Sequence, residues 1–386
     1  MSGKNRKGRG RIENLIGKLF IFCLFVIMIV NFLLPDKKMS EEENRMLSEK
    51  PKLNWGSITN GSFMENYESY LSDQFAGRNG WRGLKVALDR IGGSRKENGV
   101  FIGKGNQLME EITVPKQENL DANLKAIKEF SQSYPDIPMS MILVPDSANV
   151  LNDKLPTLAT VEDQTQLINQ VRKELGDSLT WVDAVSVLNQ HKTEKLYYKT
   201  DPHWTALGAF YTYQAAAEAL DINTEDGSGY VAYPVTDSFN GTLAAKSGVG
   251  LDINETIEIY VPKDADNDVI VNYVDEQRRT TSLYDSSKLD TRDKYAVYLG
   301  GNTSVIDIKT VSSSDRRLLL VKDSFANSFV PFLTPYFREI VVVDPRYYSG
   351  NIQDIMETYR VSDVLFLYSG NTFFQDNSIS GVFAGE

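Results

Sequence analysis

The sequence predicts an α/β protein built on a mostly parallel β-sheet, with a membrane-spanning helix in front of it. Short apolar segments alternate with segments of helical periodicity from about residue 120 onward. This alternation is typical of strands that are joined through helices and buried on both faces. Residues 19–34 are apolar except for Asn31, and six basic residues lie before them. Aromatic residues make up 11% of the chain, which favours a packed core over a disordered chain.

The apolar run is the predicted membrane span. With residues 15–18 added, a helix at about 1.5 Å per residue reaches across a hydrocarbon core of about 30 Å. A buried core helix is a weaker interpretation, because the run is apolar on every face. A cleaved signal peptide is the closer alternative, but bulky residues continue to Pro35 without a small-residue cleavage site. We expect residues 15–34 to remain as an anchor of a bacterial surface protein, with the basic tail, residues 1–14, in the cytoplasm and the rest outside.

Charge and scarce residue types exclude several functions. The chain of 386 residues has a net charge of −11; residues 1–38 carry +6 and the remainder −17. The acidic remainder disfavours a broad nucleic-acid surface, which needs lysine and arginine. Cys23 is the single cysteine and there are two histidines, so the chain has no internal disulfide and too few such ligands for a four-ligand structural zinc site. We expect no metal or cofactor.

The predicted elements follow in order along the chain. Residues 35–62 are polar and acidic and form a linker, and residues 63–386 form the outer domain. Residues 221–293 are rich in Gly, Asp, Thr and Tyr and lack helical periodicity, which predicts a β-rich insertion that could shape or cover a cleft. We expect a hairpin at 98–105, helices at 63–91 (interrupted by glycines), 120–134, 164–175, 205–220, 324–332 and 352–359, and strands at 139–144, 179–182, 295–299, 318–321, 340–343 and 364–367.

One of the two histidines has a neighbour suited to catalysis. His203 and Asp201 flank Pro202 directly before a predicted helix. A carboxylate can hold imidazole Nδ1 and leave Nε2 free as a base. An N-capping aspartate beside a structural histidine fits the spacing equally well. His191 lies in a polar stretch without such a neighbour, and we expect it at an exposed helix end.

Polar side chains also follow the predicted strands. Ser324 comes at the end of an apolar strand and the start of a helix, a position that suits either a nucleophile or a plain N-cap. Gly301 and Asn302 end another predicted strand and could donate to an oxyanion, or form only a turn. Arg346 could hold an acyl or sugar group, or form only a salt bridge. Reactive groups gather at the carboxyl ends of the strands in such sheets, and a serine, a base and an orienting acid together suit acyl transfer.

With these residues assembled, the chain resembles the DHHW family, surface proteins related to the alginate O-acetyltransferases with an SGNH-hydrolase-like three-layer fold. The resemblance spans nearly the whole outer domain. Pro202 stands where the family usually has a histidine, while the aspartate and the histidine before tryptophan are retained. The motifs that carry it are ENR (43–45), DQFAGRNGWR (73–82), NGVFIGKG (98–105), YYKTDPHW (197–204), LGGN (299–302), KDSFANSFVPFL (322–333) and DPRYY (344–348).

The resemblance implies roles for individual residues. Ser324 would be the nucleophile, His203 its general base and Asp201 the group that orients the base. Because the Asp/His pair precedes the serine, the motif order looks like a circular permutation of the ordinary SGNH arrangement. The further oxyanion or substrate-binding candidates are Gly301, Asn302, Arg346, Tyr198 and Trp204.

The implied activity is O-acetyl transfer, through a serine ester, to a cell-surface or secreted polysaccharide. Related systems imply a polytopic membrane O-acyltransferase as the acetyl donor. A polysaccharide acetylesterase uses the same residues, and a non-catalytic glycan-binding protein could share the fold, so both remain alternatives. Cellulose, peptidoglycan, teichoic acid and capsule all remain open as the acceptor.

Overall fold

The computed structural model describes residues 3–40, 45–224, 229–249, 253–263 and 268–384, with side chains from residue 13 onward. Glu43 and Asn44 of the ENR motif lie outside the described residues. The chain divides into two compact units, Met1–Gly93 and Ser94–Glu386. The division falls after the predicted domain start at residue 63, so residues 63–93 belong to the first unit.

The first unit begins with the apolar helix. Residues Glu13–Leu33 of this helix are long and apolar enough to cross a membrane and are not buried in the structure, a property shared by anchors and signal sequences. The elements of the first unit are α1 (Gly3–Leu33), β1 (Met39–Ser40), β2 (Arg45–Met46), α2 (Trp55–Thr59), α3 (Ser62–Asp73) and α4 (Arg78–Ile91).

Two of the sequence motifs meet in the first unit. Arg45 of the ENR motif donates to both carboxylate oxygens of Asp73, at 2.9 and 2.5 Å, and Ser48 N–H donates to the same side chain at 2.9 Å. The Arg45 hydrogen bonds outweigh desolvation and hold the pKa of Asp73 well below its ordinary value. The ion pair therefore fastens β2 to the carboxyl end of α3, and the Ser48 hydrogen bond holds the segment that follows β2.

The second unit carries the main sheet. Its strands are β3 (Lys96–Glu97), β4 (Val100–Ile102), β5 (Leu108–Glu110), β6 (Met139–Val144), β7 (Thr180–Val182), β8 (Tyr230–Phe239), β9 (Glu255–Pro262), β10 (Val269–Tyr273), β11 (Arg278–Thr280), β12 (Val305–Thr310), β13 (Arg317–Lys322), β14 (Glu339–Val343) and β15 (Asp363–Ser369). Its α-helices are α5 (Gln117–Ser133), α6 (Ser147–Val150), α7 (Gln164–Leu175), α8 (Ala184–Gln190), α9 (Ala206–Ala215), α10 (Thr242–Ser247), α11 (Ile352–Tyr359), α12 (Gly370–Gln375) and α13 (Ile379–Ala384).

Eight strands form the main sheet, in the order β11-β10-β12-β14-β13-β15-β6-β7. The five from β14 to β7 are parallel neighbours, and β12, β10 and β11 extend that edge antiparallel. The predicted mostly parallel sheet is therefore confirmed. Along β13, Leu318 and Leu320 enter one hydrophobic core and Leu319 and Val321 enter another on the opposite face. The sheet is thus the middle of three layers, which explains its continuous apolar strands.

The segment predicted as an insertion contributes to the main sheet. Among the described residues of this segment, β8 and β9 form a separate ribbon, whereas β10 pairs with β12 and β11 pairs with β10. The predicted strand at 295–299 is wrong, because Lys294–Val297 forms a 3₁₀-helix. Leu299, Gly300 and Gly301 then have positive φ angles of 56°, 69° and 102°, so the backbone turns where a strand would continue.

The helix predicted at 324–332 is two 3₁₀-helices, Ser324–Ser328 and Val330–Phe332. Pro331 lacks the N–H that a continuous α-helix would need at this position. The helix predicted at 205–220 also ends early, at Ala215. The first of the two short helices begins on the residue that the sequence analysis selected as the nucleophile.

A buried carboxyl at the end of β6 makes stability depend on pH. Burial raises the pKa of Asp146 to about 7, although Gln164 and the Asn371 N–H donate to it at 2.5 and 2.8 Å. Between the ordinary pKa of an aspartate and about 7, the folded state keeps a proton on Asp146 that the unfolded state has released. The free energy of unfolding therefore falls as the pH rises through that window.

We expect Asp146→Asn to remove this pH dependence, because the amide oxygen accepts the same two hydrogen bonds without a charge. Urea unfolding at pH 4 and pH 8 should show that the variant's advantage over the wild type grows with pH. An equal difference at both pH values would show that Asp146 is ionised in the folded state at pH 4.

Candidate active site

Ser324 lies where β13 leaves the carboxyl edge of the sheet. Asp323 is extended and caps the following 3₁₀-helix by accepting from Phe325 N–H at 2.9 Å. Its other carboxylate oxygen accepts from the N–H and hydroxyl of Ser369 at 2.9 and 2.8 Å. These bonds tie the turn to the end of the neighbouring strand β15, so the backbone under the partly exposed Ser324 is fixed.

The structure brings Asp201, His203 and Ser324 together. Asp201 Oδ1 lies 2.5 Å from His203 Nδ1 and also accepts from His203 N–H at 3.1 Å. His203 Nε2 lies 2.8 Å from Ser324 Oγ. Because an ionised carboxylate only accepts, Nδ1 carries a proton and Nε2 is left to accept from the serine hydroxyl. This is the arrangement that a serine nucleophile and its base require.

Thr242 holds the second oxygen of Asp201 and was missed by the sequence analysis. Its N–H and hydroxyl donate to Asp201 Oδ2 at 2.9 and 2.6 Å. Burial alone would raise the pKa of Asp201, but His203 and the Thr242 bonds outweigh it and lower the pKa. The residue before Thr242 is Gly241, and a side chain there would not fit, because an added Cβ would lie 2.4 Å from the Asp201 side chain. The carboxylate is thus charged and fixed in orientation.

We expect Thr242→Val to lower kcat by roughly tenfold, because a hydrogen bond to a charged group contributes about 1.5–3 kcal/mol and the backbone N–H still holds part of the carboxylate. Thr242→Ser keeps the hydroxyl and is the matched control. Steady-state rates for the two variants check this. Equal rates for Thr242→Val and Thr242→Ser would show that the Thr242 hydroxyl has no role in positioning Asp201 and His203.

Aromatic side chains fix the imidazole and the serine segment. The Tyr295 ring stacks on His203 with centroids 3.8 Å apart, and its hydroxyl donates to Ser328 Oγ at 3.1 Å. Trp204 Nε1 donates to the Phe325 carbonyl at 2.9 Å. Tyr198 packs edge-to-face against Tyr295. Tyr198 and Trp204 are 1% and 0% exposed, so the structure gives these two predicted substrate-binding candidates a packing role instead.

The two oxyanion candidates differ in the structure. Gly301 N–H donates to the Tyr298 carbonyl at 3.2 Å and closes a turn. Asn302 is exposed, and its Oδ1 accepts from Lys322 Nζ at 2.9 Å and from Asn327 Nδ2 at 3.1 Å. Because an ammonium only donates, Lys322 fixes the orientation of the Asn302 amide: Oδ1 faces the ammonium and Nδ2 points away from Lys322. Asn302 therefore presents a donor of fixed orientation, whereas the Gly301 donor is engaged.

Lys322, the last residue of β13, is a buried cation to which the sequence analysis gave no role. It is 1% exposed, donates to Asn327 Oδ1 at 2.8 Å and lies 3.5 Å from Asp344 Oδ2. Burial lowers its pKa. Arg346 donates twice to Asp344, at 2.8 and 2.7 Å. Of the two interpretations of Arg346, the structure thus shows the salt bridge.

The other histidine lies outside this arrangement. His191 follows α8, as expected, but it does have a partner nearby: Nδ1 lies 2.8 Å from Glu194 Oε1, and the ring stacks on Tyr211 at 3.7 Å. Among the described residues, no three histidine, cysteine or carboxylate side chains are grouped as a metal site would require.

Solved structures share this fold. A DHHW family protein from Eubacterium siraeum is 23% identical, with a TM-score of 0.64 over 75% of this chain and 96% of that one. PatB1 from Bacillus cereus is 22% identical, with a TM-score of 0.63 over 72% of this chain and 98% of that one. A structure of Bacillus cereus PatB1 with a sulfonyl adduct is also 22% identical, with a TM-score of 0.59 over 70% of this chain and 96% of that one. At these identities the likeness concerns the fold.

The sequence comparisons define the family. No curated protein sequence matches the chain. The family model of the DHHW protein matches residues 140–343, which include Asp201, His203 and Ser324. Since this match covers more than half of the chain, the protein belongs to the DHHW family.

Proposed function

We propose that this chain is a membrane-anchored O-acetyltransferase that moves an acetyl group, through an ester on Ser324, to a hydroxyl of a cell-surface or secreted polysaccharide. The observation that carries the proposal is the hydrogen-bond relay Asp201–His203–Ser324, with links of 2.5 and 2.8 Å. The family's relation to alginate O-acetyltransferases supports the choice of acetyl. The fold would be an SGNH-type fold with its Asp/His pair placed ahead of the serine.

The first half-reaction forms the acetyl-enzyme. Ser324 Oγ attacks the acetyl carbonyl as His203 Nε2 takes the hydroxyl proton, and Asp201 stabilises the resulting imidazolium. The tetrahedral intermediate then expels the donor's leaving oxygen, which takes the proton from His203. The products are acetyl-Ser324 and the protonated leaving group.

The second half-reaction repeats these steps with a sugar hydroxyl in place of the serine. His203 removes the hydroxyl proton, the sugar oxygen attacks the ester carbonyl, and Ser324 leaves with the proton restored. Water in place of the sugar would give an esterase. Transfer therefore depends on an acceptor that occupies the site better than water does.

Asn302 would stabilise the oxyanion in both half-reactions. Lys322 and Asn327 orient its amide, and they flank Ser324 in the sequence. A donor held before the reaction stabilises developing charge without reorganisation.

We expect Asn302→Ala to lower kcat by about 10²-fold, the loss typical of one oxyanion donor. Thr303→Ala is the matched control, because Thr303 donates to Glu276 instead. Rates under saturating acetyl donor check this. An unchanged kcat in Asn302→Ala would remove Asn302 from the mechanism.

The apolar helix α1 would anchor the enzyme in the bacterial cell membrane, with the second unit outside. This placement suits a polytopic membrane O-acyltransferase as the source of the acetyl group, since the donor would emerge at the same surface.

Acetyl release from a p-nitrophenyl acetate donor, measured with and without acceptor oligosaccharides, tests the proposal. We expect an acetylated oligosaccharide and faster donor turnover when the right acceptor is present. Turnover that is equal with every acceptor and yields only acetate would favour an esterase. Because one PatB1 structure carries a sulfonyl adduct, a sulfonyl fluoride is a suitable serine probe for this chain, and failure to label Ser324 would favour a non-catalytic binding protein.

A further inference from the structure

Helix α4 of the first unit exposes an apolar stripe. Trp81, Leu84, Leu88 and Ile91 are 52%, 50%, 57% and 84% exposed. Their spacing of three and four residues places them on one face of the helix. Val86 is 4% exposed and projects to the other side, so α4 packs through one face and presents a second apolar face. A contiguous exposed apolar surface of this kind marks a contact with something outside the unit.

The amino end of α4 is held beside the end of the apolar helix α1. Asn31 Oδ1, in the last turn of α1, accepts from Ala76 N–H at 2.7 Å. Gln74 accepts from Lys37 N–H and donates to the Lys37 carbonyl, both at 2.9 Å. Tyr70 donates to Asp36 at 3.0 Å. These four contacts fasten the α3–α4 junction to residues 31–37, where the chain would leave the membrane.

The charge of α4 suits an anionic surface. The helix carries Arg78, Arg82, Lys85 and Arg90 against the single acidic residue Asp89, to which Lys85 is paired at 2.8 Å. Arg78 lies 3.5 Å from Asp73 of α3, so the net positive charge of α4 comes mainly from Arg82 and Arg90. An apolar face with tryptophan and leucine, bordered by basic side chains, is the composition of a helix that lies in the interface of a bilayer. Anionic headgroups attract such basic side chains when they are close to the surface.

We propose that α4 lies on the membrane surface at which α1 emerges. Its apolar stripe enters the boundary between headgroups and acyl chains, and its basic residues contact anionic lipid. The inference rests on the membrane-anchor part of the proposed function. Beyond the spanning helix, α4 would give the protein a second, lipid-dependent attachment to the membrane. Lipid, rather than another protein, would cover the exposed apolar stripe.

Spin labels on the full-length chain in vesicles of phosphatidylethanolamine and phosphatidylglycerol test this placement. Leu84→Cys and Leu88→Cys, each combined with Cys23→Ser, report on the stripe. Gly83→Cys in the same background is the control, because Gly83 is exposed on another face and an added Cβ meets no atom within 4 Å. The wild-type Cys23, the one native cysteine, reports on the span.

We expect collisions with oxygen to exceed those with a water-soluble nickel chelate by several-fold at positions 23, 84 and 88, and the reverse at position 83. If positions 84 and 88 resemble position 83 while Cys23 is in lipid, the anchor stands and the α4 inference is wrong. If both reagents are excluded from 84 and 88, protein covers the stripe, which also overturns it. A nickel-accessible Cys23 would contradict the anchor itself.

Discussion

Ser324→Ala is expected to lower kcat for acetyl transfer by about 10⁴- to 10⁶-fold, the loss seen when a serine nucleophile is removed from a triad. The substitution deletes the oxygen that forms the ester in the proposed mechanism, while Asp201, His203 and Tyr295 keep their own contacts. Donor turnover measured beside the thermal unfolding midpoint separates loss of chemistry from loss of fold.

Ser328→Ala is the control for this variant. Ser328 lies on the same 3₁₀-helix and accepts from Tyr295 rather than contacting His203. We expect it to retain activity within about tenfold of the wild type, because a neutral hydrogen bond contributes about 1 kcal/mol. Activity in Ser324→Ala at the level of Ser328→Ala would refute the nucleophile assignment.

Asp344→Ala should have the largest effect on stability. Asp344 is fully buried, lies 3.5 Å from the buried Lys322 ammonium and accepts twice from Arg346. Removing one partner of a buried pair leaves an uncompensated charge and costs about 3–5 kcal/mol. Urea unfolding of the solubilised chain, followed by tryptophan fluorescence, measures this loss.

The paired variant Lys322→Met with Asp344→Leu should recover part of that stability, because it removes the buried ammonium together with the carboxylate, while Arg346 still loses the partner to which it donates twice. Asp354→Ala removes an exposed acid from the first turn of α11 and should cost less than about 1 kcal/mol. If Asp344→Ala costs no more than Asp354→Ala, the buried network does not stabilise the fold.

Local pattern predicted the elements that a short apolar run or a helical period marks. The strand Met139–Val144 and the helix Gln164–Leu175 appear with the predicted bounds, because each is set by residues within its own length. Residues 295–299 are similarly apolar and were predicted as a strand, yet most of them are buried as part of a 3₁₀-helix. The addition of β10 and β11 to the main sheet depends on the pairing of β10 with β12, which no local period encodes.

The candidate site likewise contains contacts that the sequence could predict and contacts that it could not. Asp201 and His203 are two residues apart, so their contact was accessible from spacing. The 121-residue separation of His203 from Ser324 was bridged by the expectation that polar groups gather at the carboxyl ends of the strands and by the family resemblance, which assigned the roles. Thr242 lies 41 residues from Asp201 in the segment taken for an insertion, and nothing around it signals its role. Lys322 ends an apolar strand, and its burial could not be predicted, because it depends on the partner Asp344, which is distant in the sequence.

The proposed mechanism requires that Ser324 carries the acetyl group. Its most direct test is peptide mass spectrometry of the wild-type chain, acid-quenched during turnover of p-nitrophenyl acetate. The mechanism predicts one acetyl group, on Ser324, that disappears when an acceptor glycan is added and never forms in Ser324→Ala. Turnover without an acetyl group on Ser324, or with the acetyl group on another residue, would contradict it.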